Sequence, residues 1–398
     1  MDNHRRQRGA GIVLVALFLL AILASLAAIG TGTRSGALER ERATERALAQ
    51  AREALLAYAA ERPITTEVGP GYLPCPDTDD DGWAEATCGS LSGHLGQVER
   101  LGRLPWKTLG LPDLRDGHGE RLWYAVSTRH KGLLNCAASR ECRDLTPASA
   151  LGTITVRDAG GALVHDGTIT AAQRAADGGA AAVVIAPGPP IERLDGRQQR
   201  RECARGDCGD PANYLDLAPG SAGGEDNAAF VDRSRDGFIA GPVAAPGGAI
   251  AVNDRVVAIG YADLMPRVMA RVALELAQCL RLASPLPPPD ASCWSGAALG
   301  RVGEEALAGE ACNARGAEPS WWLPWKPFVL YARAAPAGLD VVDDQGRVVA
   351  TRRRLAVIAT TAAGECPAAR VTCDDGGCTQ VALRARERAH PDAIVSIP

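Results

Sequence analysis

Apolar residues follow three different patterns along this chain. Over residues 10–29 they are continuous: AGIVLVALFLLAILASLAAI carries no charge and a single hydroxyl. As a helix rising about 1.5 Å per residue, such a run reaches about 30 Å, the hydrocarbon thickness of a bilayer, with every backbone group satisfied internally. Beyond a Gly30-Thr31-Gly32 break the pattern turns amphipathic. Over 38–62, Leu48, Ala51, Leu55 and Ala59 share one helical stripe with Ala47 and Tyr58 beside it, most charges lie off it, and Pro63 ends the helix. A second amphipathic helix is predicted over 263–282, with Asp263 as a first-turn cap and Leu264, Val268, Val272, Leu276 and Leu280 at helical spacing. Elsewhere short Val- and Ile-rich runs predict strands, at 180–185 and at 328–332, 338–342, 348–352 and 355–359, with Asp343-Asp344-Gln345-Gly346 as a hairpin turn.

Charge orients the apolar run. Arg5, Arg6 and Arg8 precede it, and basic residues stay on the cytoplasmic side of an inserting span. The expectation is a single-pass inner-membrane protein with a periplasmic or extracellular C-terminal bulk. A cleavable secretory signal competes with this, because Ser25 and Ala27 flank Leu26 as an AxA-like site. The twelve cysteines suit an exported chain, where they read as disulfides. Cys75 with Cys88, Cys136 with Cys142, and Cys203 with Cys208 are the local pairs; connectivity among Cys279, Cys293, Cys312, Cys366, Cys373 and Cys378 is open. Zinc is conceivable at the closely spaced cysteines, but no histidine accompanies them.

At 398 residues and 46% hydrophobic content the chain is long enough for about two globular units outside the membrane. An internal repeat gives those units an order. Leu73-Pro74-Cys75-Pro76-Asp77, Leu104-Pro105-Trp106-Lys107, Tyr124-Ala125, Thr155 to Gly160 and Ala182 to Ala186 are followed, in the same sequence, by Leu286 to Asp290, Leu323-Pro324-Trp325-Lys326, Tyr331-Ala332, Val342 to Gly346 and Leu355 to Ala359. The Pro-rich stretch 285–289 follows the second helix. The fold class expected is α+β: a long N-terminal transmembrane and stalk helix, then two helix-plus-antiparallel-sheet units stapled by disulfides. The parts are 1–9 as leader, 10–62 as transmembrane and stalk helix, 63–262 as the first globular domain, and 263–398 as the second helix with a β-rich domain.

Gln7-Arg8-Gly9 before Ala10-Gly11-Ile12-Val13, an uninterrupted apolar helix, and its amphipathic continuation into a cysteine-bearing head together resemble the type IV pilin and type II secretion pseudopilin family. The resemblance covers about the first 60 residues. It implies cleavage by prepilin peptidase after Gly9, N-methylation of Ala10, and assembly with other pilin or pseudopilin subunits. The family's usual Glu at the fifth mature position is Leu14 here, as in minor subunits that cap or initiate filaments. A large exported head also suits a filament tip. The expected function is therefore a non-enzymatic structural subunit, a minor pilin-like protein; the alternative is a membrane-anchored periplasmic binding or adhesion module outside any filament.

The sharpest chemical motif is Asp77-Thr78-Asp79-Asp80-Asp81-Gly82-Trp83-Ala84-Glu85. Asp77, Asp79 and Asp81 fall at positions 1, 3 and 5 of an EF-hand-type loop, Gly82 at the turn, the Trp83 carbonyl at 7 and Glu85 at 9, a spacing that can converge hard oxygens on Ca2+. Position 12 is Cys88 and not a bidentate Glu, and an acidic solvent-exposed turn is the competing reading. Histidines 4, 94, 118, 130, 165 and 390 form no metal pair and read as surface residues; GxSxG, Walker A and dinucleotide fingerprints are absent, so no enzyme is expected. The net charge of −4, with arginine clusters that lack interleaved aromatics, gives no support for nucleic acid as a partner. Trp106, Trp123 and Tyr124, and Trp321, Trp322 and Trp325, can fill core or serve recognition.

Overall fold

The computed structural model describes residues 36–61, 69–88, 100–131, 145–168, 178–201, 209–220, 224–229, 237–282, 299–301, 322–343, 345–359, 371–374, 377–382 and 393–397. Two α-helices occur among them, α1 over 36–61 and α2, Tyr261–Leu282. Neither is long and apolar enough to cross a membrane. Charge is the physical reason: α1 carries Glu39, Arg40, Glu41, Arg42, Glu45, Arg46, Arg52 and Glu53, and α2 carries Asp263, Arg267, Arg271, Glu275 and Arg281. The expected α+β class with a long transmembrane stalk helix is corrected accordingly, and so is the single-pass inner-membrane placement: the described molecule is mostly sheet, in several small sheets. The apolar run over 10–29, Gly9 and Ala10 lie outside the described residues.

The first half contributes β1 Leu101–Arg103, β2 Trp123–Val126, β3 Thr155–Arg157, β4 Leu163–His165, β5 Ala182–Ala186, β6 Gly237–Ile239, β7 Val243–Ala244, β8 Ile250–Val252 and β9 Arg255–Ile259. After α2 come β10 Leu299–Arg301, β11 Val329–Arg333, β12 Leu339–Val342, β13 Val348–Arg353, β14 Leu355–Ala359, β15 Val371–Asp374, β16 Gly377–Ala382 and β17 Ala393–Ile397. Both halves build the same main sheet. The orders are β1-β2-β5-β9 and β10-β11-β14-β17, antiparallel throughout. Leu-Gly-Arg opens each one, with Leu101 and Gly102 opposite Ala125 and Tyr124, and Leu299 and Gly300 opposite Ala332 and Tyr331. Both halves also set a hairpin against a parallel strand. β3 lies between antiparallel β4 and parallel β6, and β12 lies between antiparallel β13 and parallel β16.

Four strands expected in one antiparallel sheet thus divide between two. β11 pairs directly with β14 over Val329↔Ala359 to Arg333↔Leu355, and the β12–β13 hairpin between them in sequence is pushed out to form its own sheet with β16. Local alternation specifies a strand but not its partner.

Both helices and the inner faces of both main sheets share one core. Leu48, Ala51, Leu55, Leu56 and Ala59 of α1 meet Leu264, Val268, Val272, Leu276 and Leu280 of α2, with Tyr124 and Val184 from one sheet and Tyr331 and Val357 from the other. Each fully buried Leu contributes roughly 1.5–3 kcal/mol. Ion pairs bridge the helix surfaces, Arg52 to Asp263 at 2.6 Å and Arg267 to Glu53 at 2.6 Å. Trp322 and Trp325 are buried in this core, and Trp123 in a second one with Leu101, Ile185, Tyr214 and Phe238. Disulfides join Cys75 to Cys88 and Cys373 to Cys378, and Cys279 is also disulfide-bonded. Cys136, Cys142, Cys203 and Cys208 lie outside the described residues.

Candidate metal centre

Asp77 is fixed before its side chain is considered. Its N–H donates to the Arg103 carbonyl at 3.0 Å and its carbonyl accepts the Arg103 N–H at 2.7 Å, which ties the acidic loop to β1, while the Cys75–Cys88 disulfide closes the segment behind it. Buried Lys131 reaches the Cys88 carbonyl from below at 2.8 Å. The loop then winds around the Asp77 carboxylate: the Asp80 N–H donates to Oδ1 at 2.7 Å and the Gly82 N–H to Oδ2 at 2.8 Å. Asp80 and Gly82 take left-handed backbone angles, φ +66° and +89°, to make that winding possible.

Side-chain oxygens of Asp77, Asp79 and Glu85 come together, all within 4.8 Å of one another. Oxygen ligands of a calcium ion lie about 2.3–2.6 Å from it, so a group of this span can share one ion. Glu85 is held in place by the Thr78 N–H and hydroxyl, which donate to Oε1 at 3.1 and 2.7 Å. Asp81 stays outside the group and accepts the Trp83 N–H at 2.7 Å. Trp83 itself is 55% exposed. Cys88 is committed to its disulfide, so completion of a coordination sphere falls to water or carbonyl oxygen.

Cations already surround this loop. Arg121 binds Asp80 Oδ1 at 2.7 Å and Asp113 at 3.1 Å, and Lys107 donates from Nζ to the Asp81 carbonyl and from its backbone N–H to the Gly82 carbonyl at 2.9 Å. None of these neutralises Asp77. Burial, which outweighs the two backbone hydrogen bonds, pushes its carboxyl up to about 6, and the negative charges of Asp80 and Asp81 add to the rise. A divalent ion would offset both the burial and the repulsion.

A second acidic site was invisible in the sequence. Asp216 and Asp254 are fully buried and grip each other's backbone: the Asp216 N–H donates to Asp254 Oδ2 at 2.8 Å and the Asp254 N–H to Asp216 Oδ2 at 3.3 Å. Asn227 adds a bond to Asp254 Oδ2 at 2.9 Å and Gln199 one to Asp216 Oδ1 at 2.8 Å, whereas Asp254 Oδ1 has no hydrogen-bond partner. Burial drives Asp216 up to about 6 and Asp254 well above the ordinary carboxylate range, with the charge of Asp216 adding to the latter. Two such carboxylates cannot both ionise cheaply, so the pair keeps a proton to higher pH than free aspartates do.

His130, expected on the surface, is instead fully buried, and burial, reinforced by Arg129, pushes its imidazole down to about 3. His118 sits in a loop with its N–H on Asp116 Oδ1 at 2.8 Å, and His165 Nδ1 is 3.4 Å from the Gly178 carbonyl. His94 lies outside the described residues. No family model, characterised protein or solved structure matches this chain.

Proposed function

We propose that this chain is a non-enzymatic structural subunit, a minor pilin- or pseudopilin-like protein that acts at the tip of a filament or initiates it, with an acidic head loop that takes Ca2+. The observation carrying this reading is the seat of α1: an amphipathic helix entering from the N-terminal side lays its Leu48–Ala51–Leu55–Ala59 stripe into the core beneath an antiparallel sheet. The reading rests on this head and on the Gly9–Ala10 junction, not on an anchor.

Mass spectrometry of the N-terminal peptide tests the filament reading. A chain beginning at methylated Ala10 and co-sedimenting with sheared filaments supports it; an unprocessed Met1 terminus, with the protein absent from filament fractions, overturns it. A second reading, a calcium-dependent binding module outside any filament, is favoured by Trp83, which stands 55% exposed on the acidic loop. It takes over where the N-terminus is unprocessed yet calcium still raises the melting temperature.

A further inference from the structure

The Asp216–Asp254 pair fastens a cover onto the outer face of the first main sheet. Tyr124 and Val184 of that sheet belong to the core shared with the helices, so Trp123 and Ile185, each one residue along its strand, face the other way into the second core. The stretch 213–217 closes that second core. The Tyr214 ring lies 5.5 Å from Trp123, the Arg103 guanidinium lies 4.2 and 4.0 Å from the Trp123 and Tyr214 rings, and Leu215 is fully buried beside them.

Three parts of the chain meet at the pair. Asp216 sits in the cover, Asp254 in the turn between β8 and β9, and Asn227 on the way to β6. Asp216 Oδ2 accepts the Asn253 N–H at 2.7 Å, its carbonyl accepts the Asn227 N–H at 2.9 Å, and the Asn227 side chain exchanges two bonds with the Ile239 backbone, at 2.8 and 3.0 Å. The cover is thus tied to β6 and to the β8–β9 turn through two buried carboxyls.

Their four oxygens are not equivalent. Asp216 Oδ1, Asp216 Oδ2 and Asp254 Oδ2 each accept N–H groups, whereas the buried Asp254 Oδ1 accepts none. A proton on that oxygen therefore displaces no hydrogen bond. Nearby cations do not take its place. Arg201 acts on both carboxyls, but its guanidinium is held by Glu120 at 3.3 Å and by the Tyr214 carbonyl at 3.2 Å. Arg193 is engaged by Asp226 at 2.8 Å and by the Leu215 carbonyl, and Arg255 by Glu41 and the Gly241 carbonyl.

We propose that the pair is a proton-held clasp: with one proton it keeps the 213–217 cover shut, and when that proton passes to water, two buried like charges drive the cover off a sheet that stays folded. Burial places the opening on the alkaline side, since it holds both carboxyls above the ordinary range. Opening uncovers Trp123, Ile185 and Phe238, an apolar face that the closed form hides. The clasp is independent of the filament and calcium readings, because it involves neither the N-terminus nor the acidic loop.

Amide hydrogen exchange of the full chain between pH 6 and pH 9 tests this, each rate being divided by the intrinsic exchange rate at that pH. The acceptors of the Asp216 and Asn253 amides are the two carboxyls, so protection there should fall about tenfold or more beyond any change in the amides of β2 and β5, a factor of ten for each pH unit past the clasp's own pKa. Asp254→Asn puts a neutral amide where the protonated carboxyl stood, and its cover amides should keep their protection across the whole range. Wild-type protection that does not change with pH, a loss no greater than that of β2 and β5, or an Asp254→Asn variant that opens like the wild type would each overturn the proposal. The wild-type profile decides alone where the variant fails to fold.

Discussion

Trp106 occupies the space that any side chain at Gly82 would need: a Cβ built there stands 2.7 Å from two indole atoms. The same glycine holds φ +89° and donates its N–H to Asp77. Sterics and backbone conformation therefore reject a substitution together. Gly82→Ala should cost about 2 kcal/mol or more of stability and should abolish any calcium-dependent rise in melting temperature. Calorimetry with and without a chelator checks both. A variant that melts like the wild type and still responds to calcium would show that the loop does not depend on this geometry.

Proton and metal should compete at Asp77. A cation binds the ionised carboxylate, and this carboxyl, raised to about 6 by burial, is mostly protonated at lower pH. Calcium affinity measured by titration calorimetry should therefore fall about tenfold between pH 7.5 and pH 5. Asp77→Asn should bind weakly at both. Affinity independent of pH would mean that Asp77 is not a ligand.

The buried pair Asp216 and Asp254 should make the protein less stable as pH rises. Their folded pKa values lie above the usual value, so the native state keeps a proton that the unfolded chain releases. That contribution is complete below about pH 4 and is lost as pH climbs through about 6 and beyond, every tenfold difference in acidity between the folded and unfolded chain being worth about 1.4 kcal/mol. Asp254→Asn, which keeps a neutral group in place, should flatten the fall in melting temperature between pH 5 and pH 8. An unchanged slope would show that the folded pair retains no extra proton.

Local signals were legible and distant ones were not. The apolar runs Ala182–Ala186 and Leu355–Ala359 read as buried strands because nothing polar interrupts them, and both occupy interior positions in their sheets. The α1 stripe was legible for the same reason of period. The Cys75–Cys88 pairing followed from nearness in sequence. By contrast, β3 finds its parallel partner β6 some eighty residues away, at Thr155↔Gly237, and no local pattern announces that choice. Asp216 and Asp254 meet across 38 residues, each looking like an ordinary loop acid. His130 sits in polar sequence and is buried by what packs over it, not by its neighbours in the chain. In the acidic loop, the side-chain oxygens of Asp77, Asp79 and Glu85 lie together, as the spacing allows, but the spacing could not show that Asp81 would turn to the Trp83 N–H instead.

Removing the Cys75–Cys88 disulfide should loosen the acidic loop more than the fold. The bond closes a segment of 13 residues, for which the chain-entropy model gives roughly 3 kcal/mol. The β1 anchor at Asp77 and the Lys131 bond to the Cys88 carbonyl remain in the double variant Cys75→Ser/Cys88→Ser. Cys75 and Cys88 are buried in the core that α1, α2 and the two main sheets share, but Leu48, Leu55, Leu264, Val268 and Val272 of the two helices belong to that core as well and are untouched by the change. Hydrogen exchange should accordingly accelerate at the amides of Asp80 and Gly82, whose acceptor is the Asp77 carboxylate, while the amides of β2 and β5 stay protected. Uniform loss of protection across both sheets would mean instead that the disulfide supports the whole first half of the molecule.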